Sequence, residues 1–433
     1  MGFHSFSVAH HKHRSSPGFH SVLLLLLLIA AAPVTAQSTA KSLFEDLKQR
    51  VFQIRVIDVA SGDKFSLGSG FQVSSEGLIA TNFHVVSAYV HEPDKYRLEI
   101  VKDDGDIETA RLINFDVIHD LAMIHSDKLS EDFFVLNLGA LDKGDRVYSV
   151  GNPHDLGMTI VEGTYNGLIK TSRYQKLLFS GSLNPGMSGG PAIDDGGKVI
   201  GINVSTGGEQ ISFLVPVDQL AILLETTAPD QEVADAQTFI RDALYEDQQQ
   251  FYQTLLEDDF ELEPLGELNL PGELNEALKC WGHSPETKEK KYKSAHKHCS
   301  SQDAIFIKGS VSAGGFTYDA EWLSTEELNR LQFYTVVESR FNHRGLYNAY
   351  DEEDVSQFSC YTNFASVSGH EWKASSCFRA YKDYEGLYDA MFLMGSVDSN
   401  DRAAVIKTGA SMISRDNALA MFRKVMESVQ WKP

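Results

Sequence analysis

The stretch Asn184-Pro185-Gly186-Met187-Ser188-Gly189-Gly190-Pro191 sets one serine among glycines. Glycine on both sides suits a sharp turn that leaves a hydroxyl exposed and aims backbone N–H groups at one point. Serine is a poor nucleophile at neutral pH. The turn therefore has chemical meaning only with a base, a group that orients the base, and donors for a developing oxyanion. Upstream, His84 lies in Ala80-Thr81-Asn82-Phe83-His84-Val85-Val86. Asp120 lies in His119-Asp120-Leu121-Ala122-Met123-Ile124, where a carboxylate directly precedes an apolar strand. In the order His, Asp, Ser, His84 is the candidate base, Asp120 its orienter and Ser188 the nucleophile. His119 reads as a loop neighbour that competes as base only if His84 faces away. Ser182 and Ser205 read as turn or pocket-lining residues.

Around these positions, from about residue 42 to 225, short apolar runs alternate with turn residues. Val51–Val56, Tyr96–Val101, Ala110–Phe115, Leu121–His125, Arg146–Val150, Leu177–Phe179, Val199–Val204 and Ile211–Val215 read as strands, and Val217–Glu225 as a closing helix. Many short strands at this spacing predict a barrel or sandwich rather than alternating α/β units.

The three local contexts resemble those of chymotrypsin-like serine proteases, and within them the HtrA/Deg group. The likeness rests on Thr81-Asn82-Phe83-His84-Val85-Val86, Asp120-Leu121-Ala122 and the Ser188 octapeptide. It extends to Leu43–Leu47, Gly151-Asn152-Pro153 and Val199-Ile200-Gly201-Ile202-Asn203. It implies an all-β double barrel with the site in the cleft between barrels, the triad His84, Asp120 and Ser188, and oxyanion N–H groups from Gly186 and Ser188. By the same resemblance, Ser182, Val204, Ser205, Thr206 and Phe213 line the primary specificity pocket. Ser182 is neutral where trypsin-type pockets carry an aspartate, so cleavage after small or medium apolar residues is expected.

Two features depart from these families. Met187 stands where digestive proteases carry an acid that pairs with a newly cut N-terminus, and where HtrA/Deg members usually carry Asn. A thioether cannot make that ion pair, so neighbouring loops are expected to order the turn. Downstream, no stretch reads as the carboxylate-binding loop of a PDZ domain.

The rest of the chain changes character. Asp242–Leu278 carries eleven acids and no lysine or arginine, as a solvated connection would. Within residues 230–264 an apolar set at Phe239, Ile240, Leu244, Phe251, Leu255 and Leu256 has helical spacing. An acidic helical linker is expected there, with a dimerisation helix as the alternative. Residues 265–433 read as a C-terminal α+β domain, with strands at Ala304–Ile307, Phe333–Val337, Phe358–Val367, Ser375–Tyr381 and Ala390–Val397 and a last helix at Asp416–Val429. All four cysteines, Cys280, Cys299, Cys360 and Cys377, fall in it. An even count in an exported chain predicts disulfides; four cysteines allow three pairings, of which the local one, Cys280–Cys299 with Cys360–Cys377, is the expectation. Zinc at Cys280, His283, His296, His298 and Cys299 is the alternative.

Export is read from residues 1–36. Lys12 and Arg14 precede an apolar run, Val22–Ala32, and the small-residue site Val34-Thr35-Ala36. That run is short of the roughly 20 residues a spanning helix needs. A periplasmic or extracellular location is expected, with no stable membrane insertion. The chain has 433 residues and a net charge of −22, which disfavours nucleic acid and anionic membrane surfaces as partners. Polypeptides are the expected substrates, no cofactor or metal is called for, and the C-terminal domain is a candidate surface for self-association or a protein partner. The expected function is that of an exported serine endopeptidase acting on unfolded or damaged proteins. The alternative is a peptide-binding, chaperone-like protein that uses the same cleft without turnover.

Overall fold

The computed structural model describes residues 39–257, 259–285, 291–342 and 347–432. The signal-peptide reading lies outside the described residues. Helix α1 (Thr39–Leu47) leads into β1 (Val51–Asp58), β2 (Lys64–Gln72), β3 (Leu78–Thr81), helix α2 (Phe83–His91), β4 (Tyr96–Val101), β5 (Ile107–Asp116) and β6 (Leu121–His125). These six strands close a barrel in the order β1-β2-β3-β6-β5-β4. A second six-stranded barrel follows: β7 (Arg146–Gly151), β8 (Thr159–Leu168), β9 (Leu177–Phe179), β10 (Pro191–Ile193), β11 (Val199–Gly208) and β12 (Ile211–Pro216), closed by β10-β11-β12-β9-β8-β7. Every pairing in both is antiparallel. The expected double barrel is present, and helix α3 (Val217–Glu225) ends it. Period-2 patterning is plainest in β4, where Tyr96, Leu98 and Ile100 are buried and the residues between them are not.

Helix α4 (Ala236–Glu257) carries the chain onward. Its buried stripe is Ile240, Leu244, Gln248, Tyr252 and Leu255, so the helix is packed rather than solvated all round. The stripe is rotated from the expected set: Phe239 is 46% exposed, though its ring meets Phe115 edge-on at 5.0 Å.

Beyond α4 lie β13 (Leu262–Leu265), β14 (Leu268–Pro271), β15 (Leu278–His283), β16 (Lys293–Ser301), β17 (Ile305–Lys308), β18 (Val311–Ala313) and β19 (Phe316–Ser324). Helix α5 (Arg330–Arg340), β20 (Ser359–Val367), β21 (His370–Ala380), β22 (Leu387–Ser396), β23 (Arg402–Ser414), helix α6 (Arg415–Glu427) and β24 (Gln430–Trp431) complete the chain. Seven strands form an antiparallel sheet, β15-β16-β19-β23-β22-β21-β20. Alternate residues of its strands face opposite sides. Tyr318, Phe392 and Ile406 pack with Tyr252 of α4 and Phe422 of α6, whereas Leu323, Leu393 and Val405 pack with Phe333 and Val337 of α5. Phe333–Val337 is therefore helical, not the expected strand. Asn329 and Gln332 form a reciprocal capping box that starts the helix. Among the described residues, no helix is long and apolar enough to cross a membrane.

Cys280 bonds Cys299 and Cys360 bonds Cys377. With its two thiols oxidised, the zinc alternative loses its sulfur ligands. Thr39–Pro433 is one compact unit. One apolar cluster runs from Phe83, Val86 and Val90 around α2, through Ile240 and Leu244 of α4, to Ile305 and Ile307 of β17 and Tyr381, Tyr384 and Leu387.

Candidate active site

The strand that leads to His84 ends at Thr81. Asn82 is extended, and His84 sits in the first turn of α2. Its Nδ1 lies 2.7 Å from Asp120 Oδ2, and its backbone N–H donates to Asp120 Oδ1 at 2.8 Å. Asp120 reaches both because its backbone is left-handed, φ 57°, a region that Asp tolerates better than most residues. Its carbonyl also accepts from the Phe83 N–H (3.2 Å) and the Asn82 amide (2.8 Å). The β6 end and the α2 start are thus tied four times, which fixes the imidazole relative to the carboxylate. His119 is held elsewhere, with Nδ1 2.6 Å from Asp116 Oδ2. Burial opposes protonating His84, but the charge and hydrogen bond of Asp120 outweigh it and hold the imidazole above its ordinary value of 6.5.

Ser188 lies in the loop before β10, in the second barrel. Its carbonyl accepts from the Ser69 N–H (2.8 Å) of the first barrel. Its hydroxyl donates to the Val204 carbonyl at 3.0 Å, not to His84. Gly189 has φ 84°, and a Cβ there would sit 2.2 Å from the Ser69 carbonyl oxygen, so the turn tolerates no side chain at that position. Met187 is fully buried among Val147, Leu183, Ile200 and Leu214. The residue that lacks a charge for ion pairing is thus an apolar anchor of the turn.

The backbone donors of the turn divide into two sets. Met187 N–H bonds the Asn184 carbonyl, Gly189 N–H bonds Asn203, and Gly190 N–H bonds Met187. Among the described residues, the N–H groups of Gly186 and Ser188 have no acceptor. The Pro185 carbonyl accepts from the His154 N–H at 2.8 Å. In a planar trans peptide C=O and N–H point oppositely, so this bond sets the direction of the Gly186 N–H. Ser69 Oγ donates to the Gly186 carbonyl at 2.7 Å from the other side.

Sequence reading missed what holds His154. His154 and Asp155 both have positive φ, 51° and 60°, in the loop after Asn152. The Gln53 amide donates to Asp155 Oδ1 (2.7 Å), Lys64 pairs with Oδ2, and Arg55 lies 3.8 Å away. These partners come from β1 and β2, so no local pattern announces them. Asn203, in a formal glycosylation sequon, is buried and donates to the Val150 and Met187 carbonyls.

Val204 and Ser205 line a cavity of about 350 Å³ that also contains His84 and Asp120. Ser182, Thr206 and Phe213 lie outside it. Ser182 is exposed, Phe213 pairs with Ser205 across β11–β12, and the Thr206 hydroxyl bonds the carbonyls of Gly208 and Ile211. Unexpectedly, Ala304, Ile305 and Phe306 of the C-terminal region complete the cavity wall.

Residues 68–202 match a trypsin-like peptidase domain. A probable periplasmic serine endoprotease, DegP-like, from Brucella suis is 37% identical over 172 residues, covering 35% of this chain and 32% of that protein. Serine protease HTRA1 of Xenopus tropicalis is 34% identical over 164 residues, covering 35% of this chain and 34% of that protein. The crystal structure of the serine endoprotease from Yersinia pestis covers 44% of this chain and 66% of its own, with 27% identity and a TM-score of 0.39. The chain spans about a third of the length of the curated relatives it matches.

Proposed function

We propose that this chain, whose double barrel is a chymotrypsin-like serine protease domain of the HtrA group, is an exported endopeptidase that cuts unfolded or damaged polypeptides through an acyl-enzyme on Ser188. The observation that carries this is the convergence on one turn of a hydroxyl and two N–H groups without an acceptor among the described residues, with an imidazole already oriented by a carboxylate on the other barrel.

In this reading His84 Nε2 takes the Ser188 proton as Oγ attacks the scissile carbonyl. Asp120 keeps the imidazole proton on Nδ1 and stabilises the imidazolium. The Gly186 and Ser188 N–H groups receive the oxyanion. In the free protein the hydroxyl rests on the Val204 carbonyl, and in this reading it turns to His84 when substrate binds, since catalytic hydrogen bonds commonly tighten only with substrate present. The collapsing intermediate returns the proton from His84 to the leaving amine, and water repeats the sequence on the ester. Cleavage after small or medium apolar residues follows from the neutral Ser182, and a periplasmic setting from the DegP-like relatives.

A fluorophosphonate probe tests the reading directly. Labelling of wild type and its loss in Ser188→Ala are expected. A folded wild type that stays unlabelled between about pH 6 and 9 would exclude the acyl-enzyme route and leave a peptide-binding cleft without turnover.

His84 must be neutral to act as a base, and its protonation is favoured by Asp120. Activity is therefore expected to fall with acidification through a midpoint above 6.5, the ordinary value. A kcat/KM profile against pH measures it, and a midpoint at or below 6.5 contradicts the role given to Asp120.

Asp155 is proposed as a positioning residue for the oxyanion donors. Its replacement by alanine frees the His154 loop and with it the Pro185 carbonyl. Loss of one oxyanion donor costs about 10²–10³ in turnover elsewhere, so a fall in kcat of up to about 10² is expected, with KM little changed. If KM rises while kcat holds, the loop serves binding instead.

A further inference from the structure

The hairpin of β17 and β18 turns through Gly309-Ser310, with Gly309 at φ 52°, a two-residue connection suited to close antiparallel pairing. Ile305, Ile307, Val311 and Ala313 are each 2% exposed or less and lie in the cluster shared with α2. Phe306, between two of them, is only partly buried at the margin of that cluster and lines the cavity. Its ring stands edge-to-face on the His84 imidazole, centroids 6.2 Å apart and planes at 79°.

Both ends of the hairpin are fixed. At its start, Asp303 binds the Lys176 ammonium (2.8 Å) and the Arg173 N–H (2.9 Å) of the second barrel. At its turn, Lys308 binds Asp354 (2.9 Å) and Asp383 (2.7 Å). Movement between domains is the usual expectation unless the interface is extensive and apolar, as it is here. The hairpin is therefore a wall of the cavity and not a lid over it.

The position of the wall defines its subsite. The proposed primary pocket lies at Thr206 of β11, Phe213 of β12 and Ser182 in the loop after β9. The cavity shares Val204 and Ser205 with that pocket and extends to the other side, toward His84 and Asp120. A peptide bound with its scissile residue in the primary pocket passes His84 with a neighbouring residue, and Phe306 stands there. We propose that Phe306 is a specificity-determining residue, which restricts the substrate position before the scissile residue to small apolar side chains. This rests on the endopeptidase reading above.

The test uses the full-length protein and two fluorogenic peptides that share valine at the scissile position and carry alanine or phenylalanine before it. Wild type is expected to prefer alanine. Phe306→Ala should raise the phenylalanine-to-alanine ratio of kcat/KM at least about tenfold, since one apolar group in a tight pocket discriminates by that order. Phe306→Leu should give a smaller rise, and against a third peptide with alanine at the scissile position the valine-to-alanine ratio there should not move. A ratio within about twofold of wild type, or equal acceleration of both peptides, overturns the assignment; the second result makes the ring a plug. Fluorophosphonate labelling of wild type separates the two failures. An unlabelled wild type removes the endopeptidase reading and this inference with it, whereas a labelled enzyme with a flat ratio removes the subsite alone. If Phe306→Ala does not fold, Phe306→Leu carries the same comparison.

Discussion

Asp120→Asn is expected to lower kcat about 10⁴-fold without unfolding the protein, the scale of the same change in a well-studied triad. The reason lies in the two bonds that the carboxylate makes. Oδ1 accepts from the His84 backbone N–H, which remains a donor in any variant. An asparagine in this place keeps its oxygen there and must therefore present its NH₂ to His84 Nδ1. The ring is then forced to accept at Nδ1 and to carry its proton on Nε2, where it cannot take one from Ser188. Burst-phase titration measures the fall, and nitrogen chemical shifts of His84 report the tautomer. A loss of less than about tenfold with a folded variant would exclude an orienting role for Asp120.

Arg379→Met is expected to destabilise the protein by about 3–5 kcal/mol, the cost of removing one partner from a buried pair. Arg379 and Asp389 face each other across β21 and β22, with side chains 6% and 3% exposed. The guanidinium donates twice to Asp389 Oδ2, at 2.8 and 2.6 Å, while Tyr381 donates to Oδ1 at 2.5 Å. Burial pushes the Asp389 carboxyl up even with these partners. Without the arginine it is pushed further, so between the folded values of wild type and variant the variant's native state binds a proton that the wild type's does not. The deficit of the variant should accordingly shrink as pH falls through that window. Urea titrations at pH 7.5 and 5 measure both effects, and Arg379→Met with Asp389→Leu should recover most of the loss. A deficit that does not change with pH would assign the cost to lost packing against Tyr347, Tyr350 and Phe358, whose rings lie 4.7 to 5.3 Å from the guanidinium.

What the sequence disclosed follows from what is local. Tyr96–Val101 and Leu177–Phe179 appear as strands at the expected bounds, because apolar runs between turn residues are recorded within a few positions. His84 and Asp120, whose side chains the fold brings to 2.7 Å, each stand out in sequence because each sits in a distinctive short context. The helix at Phe333 was misread although Asn329 and Gln332 announce it, since Phe and Val also favour strands. Phe306 in the cleft and the Lys64–Asp155 clamp were not legible at all. Both depend on side chains brought together by the packing of distant elements, which leaves no periodicity along the chain.

The two disulfides have a consequence beyond stability. Each joins residues directly opposite in an antiparallel pair, and β15 and β20 are the two outermost strands of the seven-stranded sheet. An outer strand is held from one side only, and it is where sheets of different molecules pair or trade segments. With a covalent rung to its inner neighbour, neither margin can peel away and be replaced by a strand from another copy. The partners of each bond are 19 and 17 residues apart, so each rung can close within its own strand pair before the sheet assembles. Exchange of either margin between copies is thereby closed off by a covalent bond rather than by packing alone.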